Sequence, residues 1–330
     1  MSDALVVATE RGLHCPRGGF TIDPWMPVDR ALITHGHGDH LRRGSERYLL
    51  AEPGVSIAAV RTGEPDRLQS VPYGEPLRLG AVRVSFHPAG HVLGSAQIRI
   101  DDGAQVWVVS GDYKRAPDPT CASFEVVPCD VFISEATFAL PIYRWPHPHR
   151  VIREIYEWWQ VNRERGIASV LFCYALGKAQ RVLAELSAFT NETVYVHGAL
   201  LPLIDAYRAA GIGMTPTTSA TSAKKKEYAG ALILAPPSAA GSPWMRRFGE
   251  HSSGFCSGWM RVRGNRRRRG YDRGFVLSDH VDWPGLLRTF DETGARRILL
   301  THGHSEAMTR YLVEQGRDAA VIATQFEGED

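Results

Sequence analysis

The sequence predicts an α/β protein in two parts: a strand-rich part split between the two ends of the chain, and a strand–helix part inserted between them. Three observations carry that expectation. Short apolar runs ending in histidine, aspartate or glutamate recur up to about residue 140 and return after residue 275. Between them the pattern changes to buried strand followed by amphipathic helix, which implies a parallel sheet covered by helices. Charge divides along nearly the same line. Arg150 to Phe275 holds 19 Lys and Arg against 9 Asp and Glu, a balance of +10, while the remainder stands at −8.

The elements follow in order. Gly19 to Asp23 reads as a strand, because the residue before Pro24 favours extended backbone. Ala31-Leu32-Ile33-Thr34 is a short buried strand. Ala81 to Phe86 alternates, and Ala96–Ile100 with Gln105–Ser110 flank Asp102-Gly103 as a hairpin. Val131 to Ser134 is a buried strand ending at Glu135. Pro141 to Pro148, rich in proline, aromatic residues and histidine, marks the change of part. Val151 to Arg165 is then a helix with Ile152, Ile155, Tyr156 and Trp159 on one face. Ser169 to Cys173 is a strand, followed by Gly177-Lys178 and an amphipathic helix through about Phe189. Thr193–Val196 with a helix near Leu201–Ala210 repeats the unit, and Ala231–Leu234 opens a third. Arg261 to Arg273 is a basic hairpin or loop. Phe275 to Ser278 resumes the strand style, Arg297 to Thr301 is a strand ending at His302, and Ser305 to Glu314 is the last helix.

At 330 residues, with 44% hydrophobic and 22% charged residues, the chain has the makeup of a globular enzyme. No apolar run approaches bilayer length, so no membrane association is expected. The N-terminus lacks a basic region and soon meets Glu10-Arg11, which argues against a signal peptide. Five scattered cysteines (Cys15, Cys121, Cys129, Cys173, Cys256) include no C-x-x-C pair. That pattern predicts buried thiols in a reducing cytoplasm rather than a disulfide framework.

The densest chemistry is His35-Gly36-His37-Gly38-Asp39-His40, four candidate ligands within six residues at a strand end. Imidazole with carboxylate suits a divalent ion, zinc first and manganese second. The cluster is too dense for one tetrahedral ion that keeps a position open for water, so two adjacent ions are expected. His91, Asp112 and His302 occupy further strand ends and complete two ligand sets around one bridging carboxylate. His304, in His302-Gly303-His304, is a candidate to support a ligand.

At these positions the chain resembles the metallo-β-lactamase superfamily, and within it the β-CASP nucleases. His35-x-His37-x-Asp39-His40 is similar to the superfamily's second motif, with Asp23 at the first, His91 at the third and Asp112 at the fourth. Ser134-Glu135-Ala136-Thr137, Ser278-Asp279-His280 and His302-Gly303 are similar to β-CASP motifs A, B and C. The Gly19 to Trp25 opening and Asp279 to Leu286 look most like the bacterial ligase-associated DNA exonucleases.

The resemblance implies an αββα sandwich formed by residues 1–145 and 276–330, with a β-CASP nucleic-acid-binding domain at 146–275. It implies His35, His37 and His91 on one ion, Asp39, His40 and His302 on the other, and Asp112 bridging. Hydroxide would attack phosphorus, with His280 as general acid, Glu135 accepting from its other ring nitrogen, and Asp23 orienting a ligand histidine. The implied function is a DNA exonuclease of bacterial repair, with DNA favoured over RNA and an association with an ATP-dependent DNA ligase and a helicase. An RNA-processing nuclease of the same fold is the alternative. A small-molecule hydrolase such as a thioesterase or lactonase stands behind both, because it shares only the first four motifs.

A basic segment beside a metal-rich remainder suits a polyanion, and nucleic acid is the expected one. Arg266, Arg267, Arg268 and Arg269 read as a phosphate clamp. Lys178, at a helix start with free backbone N–H groups, reads as a second phosphate contact. The small-residue loop around Ser238 reads as a third. Trp145, Trp244 and Trp259 fit core packing better than base stacking.

Overall fold

The computed structural model describes residues 4–262, 264 and 270–324. The chain falls into two units, Met1–Arg144 with His280–Asp330, and Trp145–Asp279. In the first unit, β1 (Val7–Thr9), β2 (Gly12–Cys15), β3 (Phe20–Ile22), β4 (Ala31–Ile33), β5 (Tyr48–Ala51) and β6 (Leu68–Val71) form one sheet in sequence order. Its other strands are β7 (Leu77–Leu79), β8 (Val82–Pro88), β9 (Ala96–Asp101), β10 (Val106–Val109), β11 (Val131–Glu135), β18 (Arg297–Thr301) and β19 (Asp318–Val321). These make a second sheet in the order β19-β18-β11-β10-β9-β8-β7. From β19 to β10 the neighbours are parallel, and from β10 to β7 antiparallel.

Strand alternation produces the layers of this unit, because successive side chains point to opposite faces. Leu32 and Leu49 of the first sheet share a core with Trp107, Val109, Val131, Ile133 and Leu299 of the second. Their sequence neighbours face away. Ala31, Ile33, Tyr48 and Leu50 pack with Ala58 of α1 (Val55–Thr62). Val108, Phe132, Ile298 and Leu300 pack with Leu286 and Phe290 of α5 (Trp283–Glu292) and with Met308 and Leu312 of α6 (Ser305–Glu314). The result is helix, sheet, sheet, helix. Burying a side chain of this size is worth roughly 1.5–3 kcal/mol.

The second unit has one parallel sheet of β12 (Ala168–Phe172), β13 (Val194–Val196), β14 (Thr217–Ser219), β15 (Leu232–Ala235), β16 (His251–Cys256) and β17 (Arg273–Phe275). Its order is β14-β13-β15-β12-β16-β17. One face packs on α2 (Pro148–Glu164), α3 (Lys178–Leu186) and α4 (Leu201–Ala209) through Ile155, Trp159, Val182, Leu183 and Ile204. The other carries Val170, Phe172, Ile233, Tyr228, Phe248 and Phe255.

Two expectations are corrected here. The strand read at Phe275–Ser278 is Arg273–Phe275, paired with β16. The return to the first unit comes at His280 rather than at 276, since Phe275 and Leu277 lie in the second unit's core. Helices α1 and α5 and strands β1, β2, β5, β6, β7, β14, β16 and β19 are additional to the elements read from the sequence. No described helix is long and apolar enough to cross a membrane.

Candidate metal centre

Parallel pairing gathers the site. Because β10, β11 and β18 run in register side by side, the residues that follow or end them emerge at one edge: Asp112 after β10, Glu135 at the end of β11 and His302 after β18. His35 to His40 follow β4, and His91 follows β8. The two sheets close on each other here through Gly111. A Cβ at Gly111 would stand 2.6 Å from the Thr34 Cβ, and its φ of +55° favours glycine.

The first set of ligands is tight. His37 Nδ1 lies 3.0 Å from both His35 Nε2 and His91 Nε2. Asp112 Oδ2 is 3.3 Å from His35 Nε2 and 3.7 Å from His91 Nε2. Nitrogens bound tetrahedrally to zinc at 2.0–2.1 Å sit about 3.3 Å apart, so these four residues fit an ion with little adjustment. All four are buried, with donor atoms within 4.8 Å of one another. Burial, with the neighbouring His40, lowers the His35 pKa to about 4, and burial holds that of His91 well below its ordinary value. Both imidazoles are therefore neutral at pH 7, the form that ligates metal.

The second set is looser. His40 Nε2 is 3.6 Å from Asp39 Oδ2 and 3.5 Å from Asp112 Oδ2, while His302 Nε2 is 3.3 Å from Asp112 Oδ1. Asp112 thus stands between the sets with one oxygen turned to His35, His91 and His40 and the other to His302. Burial acts to lower the His40 pKa, but Asp112, Asp39 and Asp23 outweigh it and raise the value to about 10. Burial opposes the same pairing at Asp112, yet His40 and His280 hold its carboxyl well below the usual range.

Asp23 braces this half. Its carboxylate accepts from the Thr34 N–H at 2.7 Å and from the Thr34 hydroxyl, and lies 2.7 Å from His40 Nδ1. Asp23 and His302 are the non-glycine residues recorded with positive φ, at 42° and 33°, among the described residues. Sparsely populated backbone of this kind costs of order 1–3 kcal/mol and concentrates at functional sites.

Glu135 and His280 form a separate pair beside the ligands. Glu135 Oε2 is 2.8 Å from His280 Nδ1, and Oε1 accepts from the Tyr113 N–H at 2.8 Å. The His280 ring lies 4.7 Å from the His91 ring, and Asp112, Glu135 and His280 form a second buried group of metal-competent residues. His304 instead stacks on Tyr143, with ring centroids 5.9 Å apart, and donates its backbone N–H to Ala136.

The expected nucleic-acid contacts fare differently. Lys178 is 2% exposed, and its ammonium lies 2.6 Å from Asp279 Oδ2. This corrects the expectation of a surface phosphate contact, since a buried ammonium already neutralised by a carboxylate is engaged in that pair. Ser238 sits in a single 3-10 turn and is exposed. Arg266, Arg267, Arg268 and Arg269 lie outside the described residues. Trp244 and Trp259 pack against the second unit's core, as read from the sequence. The Thr34–Asp23 contacts went unread in the sequence, where Thr34 is one more residue of an apolar run.

No family model matches the chain. Individual proteins do. It is 30% identical over 323 residues to a probable DNA ligase of Opitutus terrae, across 96% of this chain and 31% of that protein. It is 28% identical over 229 residues to a ribonuclease of Thermus thermophilus, covering 59% of this chain and 48% of the relative. It is 24% identical over 225 residues to endoribonuclease YSH1 of Yarrowia lipolytica, covering 56% and 27%. The chain spans less than half the length of each of these relatives. A helix–sheet–sheet–helix unit with clustered histidines and aspartates at its strand ends defines the metallo-β-lactamase class, and with these relatives the chain belongs to the β-CASP branch of that superfamily.

Proposed function

We propose that this chain is a metal-dependent nuclease that cleaves phosphodiesters, acting as a DNA exonuclease in bacterial repair. His35, His37 and His91 hold one divalent ion and Asp39, His40 and His302 a second, with Asp112 shared between them. Zinc is the first candidate and manganese the second. When bound, such ions lower the pKa of water and offset charge developing on phosphoryl oxygens.

The remaining chemistry belongs to the chain. Asp23 accepts from His40 Nδ1 and so directs Nε2 toward the centre. Glu135 accepts from His280 Nδ1, which leaves Nε2 to hold the proton that the departing 3′ oxygen requires. That pair is the observation that carries the reading. A thioesterase expels a thiolate, which departs without such an acid, whereas hydrolysis of a phosphodiester expels an alkoxide that needs a proton. The buried four-residue ligand group supports the metal requirement. The +10 balance over Arg150–Phe275 supports a polyanionic substrate, with the Arg266–Arg269 run and the Ser238 loop gripping phosphates.

DNA is favoured by the match over 96% of this chain to a protein named as a probable DNA ligase, which also suits a functional association with a ligase; an ATP-dependent ligase and a helicase as partners rest on the family resemblance alone. RNA is the second reading, supported by the two relatives named as ribonuclease and endoribonuclease. The test is digestion of end-labelled single- and double-stranded DNA and RNA with zinc, manganese or magnesium. Stepwise shortening of DNA at rates well above RNA is expected. Faster cleavage of RNA would transfer the assignment to the second reading, and metal-independent cleavage would remove the metal mechanism.

A further inference from the structure

The residues after Asp112 form a junction among the loops that carry the site. Tyr113 donates its N–H to Glu135 Oε1 at 2.8 Å, and its carbonyl accepts from the Val281 N–H at 2.6 Å, one residue beyond His280. Lys114 donates its N–H to the Ala89 carbonyl at 3.0 Å, two residues before His91. A Cβ at Gly90 would collide with the Lys114 carbonyl oxygen, and Gly90 has φ +75°, so glycine there lets the His91 loop close on this segment. Two consecutive residues thus tie together the loops bearing Asp112, Glu135, His280 and His91.

The side chain of Lys114 is the unexplained part. It is 1% exposed, and its ammonium is paired with Asp118, itself 7% exposed. The other Asp118 oxygen accepts from the Thr120 N–H at 2.9 Å and from the Thr120 hydroxyl at 2.6 Å. Burying both charges costs several kcal/mol each, and well-packed apolar residues of the same shape often stabilise a fold as well or better. Stability alone therefore does not account for an ion pair here. What an ion pair supplies and an apolar contact does not is a fixed register, because donor and acceptor match in only one arrangement.

We propose that Lys114 and Asp118 are positioning residues: their buried ion pair sets the register of residues 112–120 and through it the mutual placement of Asp112, His91 and His280. This rests on the reading of the centre as a metal site. Cobalt is the probe, since its visible spectrum reports ligand geometry, and folding is followed separately by thermal melting of the metal-free protein. Lys114→Met alone strands the Asp118 charge and should melt well below the parent. Lys114→Met with Asp118→Leu should recover much of the melting temperature, yet still bind cobalt roughly 10-fold more weakly or worse and with an altered spectrum. Thr120→Val should shift both in the same direction by less, and Lys114→Arg, which keeps the pair, should stay nearest the parent. A merely structural pair would change melting and leave the spectrum and affinity of the folded double variant untouched. That result overturns the proposal, as does an unchanged Thr120→Val should the double variant not fold. A parent chain that binds no cobalt would instead overturn the metal reading itself.

Discussion

The two halves of the metal centre use the same residue types to opposite electrostatic ends. Around His35, His37 and His91 the ring nitrogens crowd to 3.0 Å, and burial keeps His35 and His91 neutral. Around His40 three carboxylates surround one imidazole and raise its pKa to about 10. Asp39 on that side is partly open, its side chain 25% exposed against 0% for His35. The difference teaches that ligand identity does not fix ligand readiness. His35 and His91 are deprotonated before a metal arrives. The His40 half holds a proton in the metal's place, and Asp23 keeps its ring aimed meanwhile.

The largest effect should come from removing what the halves share. Asp112→Ala is expected to lose the second ion, weaken the first and reduce phosphodiester cleavage by about 10³-fold or more, since it removes several kcal/mol of charge stabilisation. Metal content by elemental analysis checks it. Two ions retained at full occupancy would show that Asp112 does not bridge.

His280→Ala probes a residue outside both halves. Both ions should remain, while cleavage of natural phosphodiesters falls by roughly 10²–10⁴-fold. A nitrophenyl phosphodiester, whose leaving group needs no proton, should suffer much less, and Glu135→Ala should follow the same split. Equal losses on both substrates would assign His280 to substrate positioning.

Asp23→Ala should separate the halves. The affinity for the second ion is expected to fall by about 10–100-fold, the usual consequence of losing a partner that orients a ligand. The first ion should be bound as before. Equal weakening of both ions, measured by competition with a chelator, would end the distinction.

The smallest signal is a proton count. His35, with its pKa at about 4, has no proton to lose at pH 7, whereas His40, at about 10, is protonated there. A ligand must be deprotonated to bind. On metal binding His35 should thus release no proton and His40 close to one, with affinity at the His40 half rising as pH rises toward 10. Calorimetry in buffers of different ionisation enthalpy reads this directly. Equal release in both steps would contradict the electrostatic comparison.

Much of this was written locally. Strand ends such as Ala31-Leu32-Ile33 and Arg297–Thr301 are short apolar runs, and the ligands follow them directly in sequence, so strand and donor could be read together. The middle of the chain was legible for a similar reason, because α2 and α3 carry apolar residues at helical spacing next to continuous apolar strands. β16 was not, since His-Ser-Ser-Gly-Phe-Cys has no apolar period and is a strand only because β12 and β17 flank it. Helix α5 was hidden within the Asp282-Trp283-Pro284 motif, although Asp282 caps it by accepting from the Gly285 N–H at 3.0 Å.

The sequence by itself determined the residue types, their order along the chain and the strands that deliver them. Only the tertiary structure decided which donors meet, that Asp23 reaches across to His40 and Thr34, and that Lys114 and Lys178 are buried partners of Asp118 and Asp279 rather than surface charges. The physical reason is range. Strand and helix patterning is set by neighbours a few residues apart, while burial, ion pairing and the resulting pKa values depend on residues such as Asp112 and His302, 190 positions apart in sequence and 3.3 Å apart in space.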